Sequence, residues 1–134
     1  MATTYSNSAQ RIFDKQQQLS ADTTLTPADS GKTFFLDAVG EAITLPAPTA
    51  GCKFKFICDT TTATSDWTIV SSTDVMYGSA QVAGAVIAAS AENTITLVVA
   101  KFLPGDWVTL ESDGTKWYVE ASVVTTVGLT FTAP

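Results

Sequence analysis

From residue 29 onwards, the sequence is a succession of short apolar segments separated by residues that favour turns. These turn signals recur about every eight to twelve residues, a spacing typical of a β-sandwich or a β-barrel. About one residue in six is threonine, whose β-branched side chain favours strands over helices. The pattern predicts one compact all-β domain over residues 29–134, a β-sandwich or β-barrel-like, with strands at 33–37, 42–45, 52–58, 67–71, 75–78, 81–88, 94–100, 106–111, 116–123 and 129–132.

The segment 105–120 contains the clearest local pattern, a β-hairpin around Asp113-Gly114. This dipeptide tolerates the positive φ angles of a two-residue type I′ turn. Such a turn would place Leu110 opposite Trp117 and Glu111 opposite Lys116. One face of the hairpin is then apolar and the other mostly polar, with the polar face carrying Trp107, Thr109, Glu111, Lys116, Tyr118 and Glu120.

Two aromatic residues, Trp107 and Tyr118, lie on the polar face of this predicted hairpin. Single exposed aromatic side chains are common, and a covering loop is an alternative explanation. Tryptophan and tyrosine are nevertheless enriched where proteins contact each other. Trp107 and Tyr118 are therefore candidate subunit-interface residues.

Residues 81–91 are ambiguous, because their alanine-rich composition suits a short helix as well as a strand. Gly84 and the absence of a capping residue at the start weaken the helical interpretation. We favour a strand and loop with small side chains that can pack close to a neighbour.

The first 28 residues differ from the rest of the chain, because they are polar and rich in glutamine. Their few apolar anchors are Tyr5, Ile12, Phe13 and Leu19. A short helix here would be marginal alone, and chain termini are commonly disordered. Polar segments of this kind also become ordered when they bind another chain. We expect residues 1–28 to form an extended arm that docks on neighbouring subunits, with the four anchors as candidate interface residues.

The charge pattern argues against nucleic acid and membranes as partners. The chain has a formal net charge of −6, and its seven basic residues are scattered. A nucleic-acid binder needs a basic stripe that displaces counterions from phosphates. No apolar run approaches the roughly 18 residues of a membrane span, and the first residues do not resemble a signal peptide. We expect the protein to be made in the cytoplasm and used without secretion.

The reactive side chains do not suggest a catalytic centre. The chain has no histidine, which removes the usual triads and imidazole acid–base chemistry. Most of its carboxylates fall in predicted turns, and it has neither a calcium-binding loop nor a phosphate-binding glycine loop. Cys52 and Cys58 would lie about 20 Å apart along one strand, too far for a disulfide. We expect a protein that is not an enzyme, with no catalytic residues, no metal, no cofactor and two buried thiols.

Five segments of the sequence resemble segments of known proteins: residues 25–36, 42–48, 51–57, 67–70 and 105–119. They resemble virion proteins of tailed bacteriophages, especially small capsid decoration (cement) proteins and the head or tail fibres that share their modules. The most distinctive element is Ser112-Asp-Gly-Thr-Lys-Trp-Tyr-Val119, which is similar in decoration and fibre proteins. Together the segments span residues 25–119.

The resemblance implies a compact β domain on the outer capsid surface of a virion, commonly a trimer, that binds the major capsid protein and bridges its subunits. One alternative is a tail or head fibre or adaptor component. Another is a module that binds host-surface glycans or another ligand, with Trp67, Trp107 and Trp117 as a stacking platform. The predicted hairpin weakens the last alternative, because it places Trp107 and Trp117 on opposite faces.

Overall fold

The computed structural model describes residues 15–60 and 63–133. These residues form twelve strands: β1 (Gln16–Leu19), β2 (Thr23–Thr24), β3 (Thr33–Leu36), β4 (Ala42–Thr44), β5 (Lys53–Cys58), β6 (Trp67–Val70), β7 (Met76–Val82), β8 (Ala85–Glu92), β9 (Thr94–Leu97), β10 (Trp107–Ser112), β11 (Trp117–Val123) and β12 (Leu129–Thr132). Within the described part of the chain, the only helical element is a 3₁₀ turn at Pro27–Asp29, so no helix there could cross a membrane. The predicted all-β fold is confirmed.

The strands form two mixed sheets that pack together as a sandwich. The seven-stranded sheet has the order β1-β3-β5-β10-β11-β7-β8, and the five-stranded sheet has the order β12-β9-β6-β4-β2. The first six strands alternate between the two sheets along the chain, so each return to a sheet adds a parallel neighbour. The later hairpins β7–β8 and β10–β11 add antiparallel pairs to the larger sheet.

One continuous hydrophobic core fills the space between the sheets. Phe34 stacks on Phe56 with ring centroids 5.4 Å apart, and Phe54 contacts the Trp117 ring at 5.7 Å. The five-stranded sheet contributes Trp67, whose indole Nε1 donates a hydrogen bond to the Asp37 carbonyl at 3.0 Å. These side chains alternate along their strands with exposed or partly exposed ones, as expected where one face of each sheet is covered.

The described part of the predicted arm belongs to the domain itself, so the boundary at residue 28 is wrong. β1 pairs with β3 in parallel, and β2 pairs with β4. Leu19 and Leu25 are each only 2% exposed and lie in the common core. Leu19 therefore contacts its own domain and is not a free interface anchor. The other anchors, Tyr5, Ile12 and Phe13, lie outside the described residues.

The hairpin around Asp113-Gly114 forms, but its register differs by two residues from the predicted one. Leu110 lies opposite Val119, and Ser112 lies opposite Trp117. The loop is longer because Asp113 Oδ1 accepts hydrogen bonds from the backbone amides at 115 and 116, at 2.8 and 2.9 Å. Because this shift is an even number of residues, every side chain keeps its predicted face.

Residues 81–91 are strand and turn, as favoured from the sequence. β7 and β8 form a hairpin whose two turn residues are Ala83 and Gly84. Their φ angles are +52° and +82°, and positive values at both positions identify a type I′ turn. The two-residue type I′ turn that the sequence predicted at Asp113-Gly114 is therefore found at Ala83-Gly84 instead.

Candidate protein-binding surfaces

The outer surface of the seven-stranded sheet carries most of the partly exposed aromatic side chains. Its register places Phe35 beside Ile57 and Ile57 beside Trp107, which forms an apolar row across β3, β5 and β10. Tyr118 and Tyr77 form a second pair across β11 and β7. Tyr118 is 47% exposed, and the other four are partly exposed. We call this surface the aromatic face.

Hydrogen bonds and a cation–π contact hold the tyrosine end of the aromatic face. The Tyr118 hydroxyl donates to Asp113 Oδ2 at 2.9 Å, and this hydrogen bond to the carboxylate raises the Tyr118 pKa. The backbone amides of Thr115 and Lys116 hold the Asp113 pKa well below its usual range, with further help from the Thr115 and Tyr118 hydroxyls. The Lys116 ammonium lies 4.9 Å from the centre of the Tyr77 ring. This end of the face is therefore ordered before any partner arrives.

A shallow groove of about 410 Å³ crosses the middle of the aromatic face. Its lining includes Lys32, Lys53, Lys55, Glu111, Tyr118 and Glu120. Lys53 lies directly across from Glu111, and Lys55 lies across from Thr109, with its ammonium 6.0 Å from the centre of the Trp107 ring. A protein with a net charge of −6 thus concentrates three of its seven basic residues in one concavity.

The outer surface of the five-stranded sheet is neutral and rich in threonine. Register places Thr68, Thr96 and Thr130 in one row across β6, β9 and β12, and Thr94 lies opposite Thr132. We call this surface the threonine face. It contrasts with the aromatic face in having hydroxyls and methyls where the other has rings and charges.

One edge of the sandwich is open and apolar. β8 ends the seven-stranded sheet, and Val86 on it is 68% exposed. Between β8 and β12 lies a groove of about 440 Å³ that is lined by Val82, Ala85, Ile87, Ala88, Thr126, Val127, Leu129, Thr130 and Phe131. We call β8 together with this groove the β8 edge.

Three titratable side chains are buried in the described part of the chain: Cys52, Cys58 and Asp106. Burial raises the pKa of the Cys58 thiol to about 12, and the nearby carboxylates of Asp106 and Asp59 add to the effect. Cys52 is also buried, and both cysteines are free. Asp106 accepts hydrogen bonds from the backbone amides of Leu103 and Val124 at 2.8 and 3.2 Å. Across residues 15–60 and 63–133, no three histidine, cysteine or carboxylate side chains cluster as metal ligands do.

The structure brings Trp107 and Tyr118 onto one face, as the hairpin pattern predicted. They occupy opposite ends of adjacent strands, because Trp107 lies across from Ser122 and Tyr118 lies across from Glu111. Trp67 and Trp117 are fully buried, so the three tryptophans do not form a stacking platform. Sequence reasoning missed Phe35, Ile57 and Tyr77 as surface residues, although strict alternation within 33–37 and 52–58 would have placed the first two outside.

Comparison of the chain with protein-family models, with curated proteins and with solved structures finds no match.

Proposed function

We propose that this protein is a non-enzymatic capsid decoration protein of a tailed bacteriophage. It binds the outside of the shell through its aromatic face and bridges subunits of the major capsid protein. The observation that carries the proposal is the open sheet face on which Phe35, Ile57, Trp107, Tyr77 and Tyr118 remain partly exposed. The resemblance of residues 25–119 to phage virion proteins supplies the identity of the partner.

The chemistry of the aromatic face suits a protein partner. Tryptophan and tyrosine supply large contact areas, and they are enriched among the residues that contribute most to binding energy. The lysines of the groove add hydrogen-bond donors between the two aromatic ends. Many copies on one lattice would also let modest individual contacts sum to firm attachment. Residues 1–14, with Tyr5, Ile12 and Phe13, are proposed to add a strap on a neighbouring subunit.

The test mixes the purified protein with expanded empty shells that lack it. Bound protein is measured by co-sedimentation, and shell stability is measured by heating. We expect hundreds of copies to bind each shell and the shell to resist higher temperatures. Absence of both effects would contradict the proposal.

Two matched variants identify the face that binds. Thr109 and Thr96 are both partly exposed threonines in mid-strand, the first on the aromatic face and the second on the threonine face. Thr109→Arg should abolish binding to the shell, because it places a long charged side chain at the centre of the contact. Thr96→Arg should leave binding unchanged. If only Thr96→Arg weakens binding, the opposite face is the binding surface.

The groove on the aromatic face favours one second candidate, a module that binds host-surface glycans. A concave site with Tyr118 beside Lys53, Lys55, Glu111 and Glu120 offers a ring for stacking and several hydrogen-bonding groups. A glycan array with the wild-type protein and with Lys55→Ala tests this candidate. Binding to a defined glycan that Lys55→Ala abolishes, together with only a few copies per virion, would favour a fibre or tip role over decoration.

A further inference from the structure

The β8 edge has the features of a strand that pairs with another strand. β8 is eight residues long, whereas the other three edge strands, β1, β2 and β12, have four, two and four residues. Its residues 85–91 carry no charge. Protected edges normally carry charges, prolines or bulges. β8 has a bulge only near its end, at Ala91, whose φ is +59° and which has no partner between the pairs Tyr77–Ser90 and Met76–Glu92.

The turn determines which backbone groups of β8 are open. A two-residue type I′ turn makes Val82 and Ala85 a hydrogen-bonded pair. Hydrogen-bonded and non-hydrogen-bonded pairs alternate along an antiparallel ladder. Ala85, Ile87 and Ala89 therefore bond to β7, and the N–H and C=O groups of Val86, Ala88 and Ser90 point away from the sheet.

Val127, beside this edge, is held in an unfavourable conformation. Its φ is +59° and its side chain is 52% exposed. A left-handed backbone is costly for a β-branched residue, and strain of this kind is concentrated at functional positions. Asparagine or glycine would suit this backbone better than valine.

We propose that two copies of this protein associate through their β8 strands, which pair antiparallel across a two-fold axis at Ala88. This register joins the open groups of one copy to those of the other: Ala88 lies opposite Ala88 of the second copy, and Val86 lies opposite Ser90 of the second copy. The single charged residue of the strand, Glu92, lies beyond the bulge at Ala91 and far from Glu92 of the second copy, so no like charges meet. The two seven-stranded sheets become one continuous sheet.

The second copy is the partner that best fits the β8 edge. The strand is self-complementary in hydrogen bonding and charge, as a two-fold interface requires. The axis runs perpendicular to the sheets, so the two β8–β12 grooves face each other across it. Val127, Ile87 and Phe131, which line each groove, are then shielded by the same residues of the other copy. This inference is independent of the proposed function, because pairing uses backbone groups of β8, whereas shell binding is assigned to side chains of the aromatic face.

The test measures the mass of the full chain in solution by sedimentation. We expect a species of twice the 14.1 kDa chain mass. Ala88→Lys places two ammonium groups opposite each other and should weaken dimerisation by about tenfold or more. Thr96→Lys, on the threonine face, should leave the dimer intact. A monomer at about 100 μM would contradict the proposal, as would the trimer implied by the resemblance or a dimer that Ala88→Lys does not weaken.

Cysteine variants test the register. Directly opposed residues in a hydrogen-bonded pair have Cα atoms about 5.5 Å apart, which a disulfide can bridge. Ala88→Cys should therefore give a covalent dimer on mild oxidation. Ser90→Cys, also exposed on the same strand, should not, because its two copies would lie about 14 Å apart. The buried Cys52 and Cys58 should not contribute. Equal cross-linking of both variants, or of neither, would contradict this register.

The Val127→Asn variant distinguishes two effects of this residue: the backbone strain in the monomer and the side-chain contact in the dimer. In the Ala88→Lys background the variant should raise the melting temperature of the monomer, because asparagine tolerates a left-handed backbone. In the otherwise wild-type chain it should weaken the dimer by several-fold. Unchanged dimer affinity would show that Val127 does not contact the second copy, which would overturn the facing-groove arrangement.

Discussion

Asp106 is a buried carboxylate that ties two loops to the end of the β10–β11 hairpin. It is 3% exposed, and its two oxygens accept the backbone amides of Leu103 and Val124. Asp106→Ala would leave these two partly buried backbone amides without this acceptor. Since each such loss costs about 1–3 kcal/mol, we expect the free energy of unfolding to fall by about 2–3 kcal/mol.

Urea unfolding followed by tryptophan fluorescence measures this loss. Asp74→Ala is the matched control, because Asp74 is exposed in a loop, and it should change stability by less than about 0.5 kcal/mol. Equal stability changes for the two variants would show that the Asp106 hydrogen bonds do not contribute to folding.

The Tyr118–Asp113 hydrogen bond predicts a pH dependence at the alkaline side. The bond favours protonated Tyr118 and raises its folded-state pKa. Its contribution to stability is therefore complete below the unfolded-state pKa of about 10 and is lost as pH rises through the higher folded-state value. Asp113→Asn removes the negative charge, so the Tyr118 pKa should fall. An NMR titration of the tyrosine rings, with Tyr118→Phe to assign the signal, measures the shift; an unchanged pKa would contradict the assigned cause.

At the scale of the element, one substitution in the β7–β8 turn should increase the stability of the protein. Ala83 has a φ of +52°, a conformation that alanine adopts at a cost of about 1–2 kcal/mol. Ala83→Asn creates Asn-Gly, the preferred type I′ pair. We expect stability to rise by about 0.5–1 kcal/mol and the melting temperature by about 2–5 °C. Ala85→Asn, in the adjoining strand, should give no such gain, and a similar rise in both variants would exclude the turn as the cause.

The strands that alternate clearly could be predicted from the sequence. The alternation in Lys53–Cys58 and in Trp117–Val123 reports directly which side chains face the core. The faces of the β10–β11 hairpin were right for this reason, although its register was not. The register depends on where the Asp113 carboxylate finds its donors, and a dipeptide preference does not contain that information.

Pairing between distant segments could not be predicted. β1 offers one buried apolar residue, Leu19, after three glutamines, so its sequence does not indicate a strand. It is a strand because β3 supplies a parallel hydrogen-bonding edge. The candidate surfaces could not be predicted for the same reason. Strand order, and not the local sequence pattern, places β8 at the end of a sheet and brings Phe35 and Ile57 into a row with Trp107.

At the scale of the whole molecule, we propose different binding functions for different surfaces of the sandwich. The aromatic face and the threonine face lie on opposite sides of one core, and the β8 edge borders the aromatic face beside Tyr77. Each surface uses different residues. Shell binding through the aromatic face and self-pairing at the β8 edge are therefore compatible. Single substitutions should therefore affect the two functions separately. Thr109→Arg should weaken shell binding, and Ala88→Lys should weaken the dimer.

Truncation distinguishes the folding unit from the proposed strap. A chain that begins at Lys15 retains β1, β2 and the buried Leu19 and Leu25, so we expect the same circular dichroism spectrum and a cooperative unfolding transition. A chain that begins at Thr26 loses both strands and both leucines. Since burial of each leucine contributes about 1.5–3 kcal/mol, its free energy of unfolding should fall by about 3–6 kcal/mol.

The chain that begins at Lys15 also tests the role of residues 1–14. If those residues strap the protein to a neighbouring subunit, the chain that begins at Lys15 should fold normally and yet bind expanded shells more weakly than the full chain. Thr109→Arg in the full chain provides the comparison, because it should block binding through the aromatic face while residues 1–14 are still present. Full binding by the shortened chain would restrict attachment to the sheet face, and loss of its fold would place residues 1–14 within the domain instead.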